Sequence, residues 1–172
     1  MLTDRIIGVF KLSPATFEEV EHDPNATSQA ALIVAIVALL TGLGSGFGAL
    51  FTDASFFGSF LSGLFWTFVG WILWSVVSYF VGTKMFSGTA TVDEMLRAVG
   101  FAYAPQMLAI IPCVGGILGL IWSLVAGFIA IRQGLDLDDL RTLLTVAIGF
   151  GVYLVGYIIL SILVGGIGGI FA

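Results

Sequence analysis

The sequence predicts an all-α membrane protein: a helical bundle of about five transmembrane helices, preceded by a short N-terminal amphipathic helix. Hydrophobic residues make up 59% of the 172 residues, and the mean hydropathy is +1.11. Charged residues make up only 10%, against about 25% in soluble domains. Several uncharged stretches approach or exceed the roughly 18 residues that mark a membrane-spanning helix.

Residues 1–27 are predicted to form a cytoplasmic N-terminal segment. Its first twelve residues, MLTDRIIGVFKL, place Leu2, Ile6 and other apolar side chains on one helical face, which is typical of an amphipathic helix at a membrane interface. Ser13 followed by Pro14 matches an N-cap and a first-turn proline. A second short helix is therefore expected before the first span.

Residues 28–172 are predicted to form the membrane domain. Each predicted span can cross a hydrocarbon core of about 30 Å at 1.5 Å per residue, although the third and fourth are short. Four spans with a re-entrant third segment are the alternative. The five spans are read as residues 30–51, 56–81, 95–111 and 115–131, and from about 143 toward the C-terminus.

The basic residues predict the orientation of the bundle. With five spans, all six fall on one side of the membrane, and the connections near Asp53 and Cys113 carry none. The positive-inside rule then places the N-terminus in the cytoplasm and the C-terminus outside. The six basic residues are Arg5, Lys11, Lys84, Arg97, Arg132 and Arg141.

The third span contains a proline in the middle of an apolar run. Pro105 is expected to free the carbonyl of Phe101 and to kink the helix, which a membrane protein tolerates where a neighbour or water satisfies the freed group. Tyr103 and Gln106 are the strongly polar side chains at that level, and Pro112 is expected to end the helix. The polar notch at Pro105 is either a packing device or a binding site.

Charged residues flank the third and fourth spans. Asp93 and Glu94 lie four and three residues before Arg97, so both can pair with it along one helix. Arg132 is expected to join them, because the fourth span ends where the third begins. This group is either an interfacial salt bridge or a polar cluster at the cytoplasmic mouth of the bundle.

Small residues recur four positions apart in several spans. Such pairs let helix backbones approach closely, but they do not distinguish packing within one bundle from homo-oligomerisation. The pairs are Gly42 and Gly46, Gly44 and Gly48, Ala98 and Ala102, Gly100 and Ala104, Gly115 and Gly119, and Gly165 and Gly169.

The sequence offers little catalytic chemistry. His22 and Cys113 are the only residues of their types, and the predicted topology places them on opposite sides of the membrane. A histidine–cysteine metal site and a Cys–His pair are therefore excluded, and no carboxylate lies within the apolar interior of a span. We expect no enzyme activity and no cofactor. The net charge of −5 also argues against nucleic acid as a partner.

Three stretches resemble the prokaryotic branch of the Yip domain family: LSPATFEEVEHDPNATSQAALIVAIVALL, VDEMLRAVGFAYAPQMLAIIP and LIWSLVAGFIAIRQGLDLDDLRTLL. The most specific part is the pattern of Phe101, Tyr103 and Pro105, followed by Trp122 and Arg132. The resemblance implies a cytoplasmic N-terminus, a compact five-span domain and a location in a prokaryotic cell membrane.

Eukaryotic members of that family interact with Ypt/Rab GTPases and act in vesicle trafficking and membrane shaping. This chain lacks their long N-terminal tail and their Asp-Leu-Tyr-Gly-Pro stretch, so GTPase binding is not carried over.

The sequence thus favours a non-enzymatic membrane scaffold or adaptor that works through protein or lipid contacts. The alternative is a small permease or channel-like protein that uses the polar notch. The expected partners are the lipid bilayer and a cytoplasmic or membrane protein, and homo-oligomerisation stays open. The candidate functional residues are Glu94, Arg97, Tyr103, Pro105, Gln106 and Arg132.

Overall fold

The computed structural model describes residues 1–111 and 114–170, with side chains described up to residue 163 and not for 112–113. Within these ranges the chain is helical, as predicted. The expected end of the third span at Pro112 lies outside the described residues. The elements are α1 Leu2–Phe10, α2 Pro14–His22, α3 Ala26–Ala49, α4 Phe56–Phe86, α5 Val92–Ala102, a 3-10 helix Ala104–Ile110, α6 Gly115–Gly134 and α7 Asp139–Ile170.

Four helices are long and apolar enough to cross a membrane. They correspond to the first, second, fourth and fifth predicted spans, and α4 and α7 extend further into polar sequence than predicted. The four are Ala26–Ala49, Phe56–Phe86, Gly115–Gly134 and Asp139–Leu163 of α7.

The third predicted span consists of α5 and the 3-10 helix, and it runs antiparallel along α6. A methyl group placed on Gly134 would lie 3.2 Å from the sulfur of Met95, and one on Gly119 would lie 2.8 Å from the carbonyl oxygen of Pro105. At about 1.5 and 2.0 Å per residue, the α-helical and 3-10 parts together cover roughly 30 Å. This segment follows α6 along its length, which favours five traverses over the re-entrant alternative.

The expected kink at Pro105 is instead a change of helix type. The α-helix ends at Ala102, and Tyr103 caps it. The N–H of Gln106 donates to the carbonyl of Tyr103 at 2.9 Å, which is the shorter-range bond of a 3-10 helix. Proline has no N–H to donate and disfavours α-helical geometry in the residue before it. The chain therefore tightens here into a narrower helix.

The N-terminal helices pack into the bundle. The second short helix begins at Pro14 after Ser13, as predicted, although the Ser13 side chain makes no cap hydrogen bond. Val9 of α1 and Phe17 of α2 are fully buried and belong to the same hydrophobic core as α5 and α6. The indole N–H of Trp122 in α6 also donates to the carbonyl of Phe10 at 3.0 Å. Part of the apolar face of α1 therefore packs against the protein. The position of α1 at the membrane interface stays a prediction.

The small-residue pairs of α3 separate into two faces. A methyl group on Gly42 would lie 2.8 Å from the carbonyl oxygen of Phe60, and one on Gly46 would lie 2.9 Å from the ring of Phe56. The same group on Gly44 or Gly48 would meet nothing within 4 Å. The pair of Gly42 and Gly46 thus allows α3 to pack closely on α4, whereas the pair of Gly44 and Gly48 makes no such contact. The side chains at positions 165 and 169 lie outside the described part of the chain.

The two ends of the bundle differ in character. We call the end formed by residues 18–25, 87–94 and 132–139 the charged end. It is held together by a hydrogen bond of 2.8 Å from the hydroxyl of Thr89 to the carboxylate of Asp136. The opposite end carries the α3–α4 connection, residues 50–55. The largest fully buried side chains come mainly from helices near the charged end, including Phe17, Met95 and Leu135.

Candidate functional site: a membrane cavity and a charged end

A cavity of about 950 Å³ lies between α3, α4, the α5–3-10 segment, α6 and α7. Its lining includes Thr52 and Ala54 of the α3–α4 connection, so the cavity reaches the opposite end of the bundle. Val99, Ile131 and Val146 bound it on the side of the buried core. Binding sites for small molecules typically have volumes of about 300–1,000 Å³, so this cavity is large enough to hold a ligand.

One wall of the cavity carries hydroxyl groups. They come from α3 and α4. Thr67 uses its hydroxyl to bond the carbonyl of Gly63 in its own helix at 2.8 Å. The hydroxyl residues on this wall are Thr41, Ser45, Ser59, Ser62 and Thr67.

The other wall is aromatic. The ring of Trp66 on α4 lies 4.6 Å from that of Tyr157 on α7, and Trp74 meets Tyr153 edge-on at 5.5 Å. Phe150 extends the same row. These contacts join α4 to α7 through large aromatic side chains.

The predicted polar notch lines this cavity. Tyr103 and Gln106 are both part of its wall, while Pro105 is buried and does not line it. A methyl group on Gly70 would lie 3.2 Å from the hydroxyl oxygen of Tyr153 and 3.6 Å from that of Tyr103, so the two phenols converge there. The two polar side chains of the notch therefore border the cavity, and Tyr103 also packs against the hydrophobic core.

A buried serine of α6 adds an unpaired hydroxyl to the cavity. Ser123 is only 9% exposed, lines the cavity, and has no hydrogen-bond partner for its hydroxyl oxygen. By contrast, Ser75 bonds the carbonyl of Trp71 in its own helix at 2.8 Å. Among the described residues, the lining contains no charged side chain. Sequence reasoning did not single out Ser123, although it continues the four-residue spacing of Gly115 and Gly119, because that spacing indicates close packing and not an unpaired hydroxyl.

Arg97 does not form the predicted salt bridge. Its side chain is 7% exposed and donates from Nε at 3.1 Å, and also from Nη2, to the carbonyl of Glu21. Glu94 instead turns back and accepts from the N–H of Thr91 at 2.6 Å in a capping box. The carbonyls in the last turn of α2 have no partner within their own helix. The predicted pair of Glu94 with Arg97 does not form, because the Glu94 carboxylate caps the start of α5 and the Arg97 guanidinium binds the end of α2.

Arg132 and Arg97 have different partners. Its Nε is 2.8 Å from a carboxylate oxygen of Asp139, which links the end of α6 to the start of α7. Both side chains of this pair are well exposed to solvent, so the pair contributes little to stability. The predicted four-residue charged cluster is therefore wrong in its pairings.

Arg5 is a buried cation that sequence reasoning did not single out. It donates from Nε to Glu19 at 2.9 Å, from Nη2 to Asp23 at 2.7 Å, and from Nη1 to Gln29 at 2.9 Å. Burial lowers the pKa of Arg5, but the hydrogen bonds to Asp23 and Glu19 outweigh this, and the net pKa is raised. The bond from Arg5 likewise holds the pKa of Asp23 below its usual value. This group ties α1 and α2 to the start of α3.

Glu21 is a buried carboxyl group at the charged end. It is 5% exposed, and its Oε2 has no hydrogen-bond partner. Burial raises the pKa of Glu21 to about 7; His22 lowers it, while Glu18, Asp136 and Glu94 raise it further. The neutral form is therefore favoured by the fold.

The comparisons with known proteins identify the family and nothing narrower. No group of three or more histidine, cysteine or acidic residues suited to a metal occurs in the described part of the chain. No curated protein and no solved structure matches the sequence. The sequence pattern of the Yip1 domain matches residues 7–163, which is most of the chain. The protein belongs to the Yip1 domain family.

Proposed function

We propose that this integral membrane protein is a non-enzymatic scaffold or adaptor whose working surface is the charged end. The observation that carries the proposal is that three segments distant in sequence form one surface there. Gln133 donates to Glu18 at 3.3 Å, and Thr89 donates to Asp136. The N-terminal segment, the α4–α5 connection and the α6–α7 connection are thus held together, as a docking surface requires.

The exposed side chains of this surface are mainly acidic. Glu18, Asp93, Asp136 and Asp139 are exposed around the more buried Glu21, and Arg132 lies at the edge in its pair with Asp139. Such a surface complements a partner with basic side chains. The positive-inside rule supports placing this end in the cytoplasm of a prokaryotic cell, with the N-terminus inside and the C-terminus outside. A soluble cytoplasmic protein is then the expected partner.

The proposal is tested with two variants that make the same charge change at opposite ends. Asp93→Lys alters the charged end at an exposed residue that forms no ion pair, and Asp53→Lys alters the α3–α4 connection. Crosslinking in native membranes followed by mass spectrometry should recover a partner with the wild type and with Asp53→Lys, but less of it with Asp93→Lys. Equal recovery with both variants would contradict a working surface at the charged end.

A second candidate function is the passage of a solute, and one observation favours it: Tyr103 and Gln106 line a cavity open to one end of the bundle. Reconstituted protein would then carry a selective, saturable solute flux above that of empty liposomes. Loss of this flux on Gln106→Ala would establish the permease and contradict the scaffold. The scaffold proposal expects no such flux.

A further inference from the structure

We propose that the cavity is a binding site for an uncharged membrane amphiphile with a hydroxyl-bearing head group, of the monoacylglycerol class. The inference does not rest on either proposed function. It follows from the chemistry of the lining, from a buried hydroxyl without a partner, and from the way the cavity meets the bilayer.

The cavity lining disfavours a ligand with a charged head group. It offers hydroxyl, amide and phenol groups from several helices, and among the described residues it contains no carboxylate, ammonium or guanidinium. An ionised head group placed there would lose its hydration without gaining a counter-ion, which is costly at membrane depth. A neutral head group loses only hydrogen bonds that the lining can replace.

The lining also contains polar groups that are not satisfied within the protein. The hydroxyl of Ser123 is buried and has no partner, although a serine in a helix can bond its own backbone, as Ser75 does. The phenol groups of Tyr103 and Tyr153 converge near Gly70 and also line the cavity. Buried polar groups are nearly always paired. Among the described residues Ser78 and Thr145 bury unpaired hydroxyls too, but that of Ser123 belongs to the cavity lining, so it is available to a ligand.

The lining is amphipathic along its length. Besides the polar groups, α6 contributes the apolar side chains of Leu120, Leu124, Phe128 and Ile131 to the lining, and Leu120 and Leu124 are more than half exposed, which suits an acyl chain. α7 packs chiefly on α4 and makes fewer contacts with α6. The side between α6 and α7 is therefore the expected entry for a molecule that arrives from the bilayer. A freely soluble polar compound would gain little from the apolar half.

The test uses two photoactivatable probes with the same acyl chain: a monoacylglycerol, and the corresponding lysophosphatidic acid, which adds a phosphate. Purified protein in nanodiscs is irradiated with each probe, and the adduct is measured by intact mass and located by peptide mapping. We expect the neutral probe to label lining residues and the charged probe to label them about tenfold less. Equal labelling by the two probes would contradict the proposal.

Four glycines allow a test in which a larger side chain fills the cavity. Two of them line the cavity, and each is matched by a control glycine on the same helix that does not. Gly127 on α6 and Gly48 on α3 both line the cavity, and an added side chain at either meets nothing within 4 Å. Gly116 on α6 and Gly44 on α3 are equally open but do not line it. Leucine at Gly127 or Gly48 should reduce labelling by about tenfold or more, and leucine at Gly116 or Gly44 should not.

Each variant is first checked for its elution by size exclusion and its thermal stability. The variants Gly127→Leu and Gly48→Leu alter the cavity lining from two different helices, so the test remains decisive if one of them fails to fold. In addition, Ser123→Ala should weaken labelling several-fold if its hydroxyl contacts the head group. Wild-type labelling in both folded leucine variants would show that the probe binds the lipid-facing surface, and would overturn the proposal.

Discussion

The contact between α3 and α4 gives the sharpest test of the packing. Gly42 lies where the two backbones meet: a methyl group there would lie 2.8 Å from the carbonyl oxygen of Phe60, and one on Gly63 would lie 2.8 Å from the Cα of Gly42. Because the obstructing atoms are backbone, no side chain can rotate away to make room. Gly44, two residues further along the same helix, meets nothing within 4 Å. Gly42→Ala and Gly44→Ala therefore form a matched pair.

The expected difference in the free energy of unfolding follows from two opposing effects. Replacing glycine by alanine in a helix interior gains up to about 1 kcal/mol of helix propensity, and this gain applies to both variants. Overpacking a tight contact costs about 1–3 kcal/mol, and this cost applies only to Gly42→Ala. The propensity gain cancels in the comparison, so the free energies of unfolding should differ by about 1–3 kcal/mol, with Gly42→Ala the less stable. The corresponding difference in Tm is on the order of 5 °C.

The measurement is thermal unfolding in detergent, followed by tryptophan fluorescence and by the loss of the monodisperse peak in size exclusion. Wild type and both variants are compared at the same detergent and protein concentrations. A melting temperature for Gly42→Ala equal to or above that of Gly44→Ala would refute the close approach of α3 and α4.

Three further predictions follow from other parts of the molecule. The pKa of Glu21 is raised from 4.5 to about 7 in the fold, so its stabilising contribution is complete below about pH 4.5 and is lost as the pH rises toward 7. Chemical denaturation should show the wild type losing stability over that range, on the order of 1 to 2 kcal/mol after allowance for solvent screening, and Glu21→Gln should flatten this dependence. In a Cys113→Ala background, Lys84→Cys should react with a membrane-impermeant thiol reagent only after lysis, and labelling of intact cells would contradict the proposed orientation. Pro105→Ala should insert normally, yet it restores a backbone donor and lets the α-helix continue; several-fold weaker labelling by the monoacylglycerol probe is expected, because Gln106 would leave its place in the wall.

Local sequence patterns predicted the elements of the fold. The apolar runs marked the spans, since a spanning helix must satisfy its backbone within one continuous segment. Ser13 and Pro14 marked the start of α2, because a helix N-terminus is specified by a few adjacent residues. The aromatic-then-proline stretch around Pro105 carried the family resemblance, and the match to the Yip1 domain confirmed it.

Contacts between distant segments could not be predicted in the same way. Arg97 had two carboxylates at helical spacing, yet its partner is the carbonyl of Glu21, 76 residues away. Arg5 binds Glu19 and Gln29 on two other helices. Local spacing gives the pairs that can form, whereas the packing of α2 against α5 decides which pairs do form. Ser123 continues the small-residue spacing of α6, but its unpaired hydroxyl depends on which residues of other helices surround it, and local spacing does not give that.

The glycines of the bundle fall into two groups: those that close helix contacts require and those that border open space. Where helices touch, as at Gly42 and Gly119, glycine is required because an added methyl group would strike backbone at 2.8 Å. Gly48 and Gly127 meet no such contact, yet both lie in the cavity wall, where any larger side chain would take up the space. Aromatic pairs such as that of Trp66 with Tyr157 border another part of the cavity and pack α4 on α7. Glycines without side chains and large aromatic rings thus both shape this space. The proposed amphiphile site requires such a space, and leucine at Gly48 or Gly127 tests directly whether its volume is used.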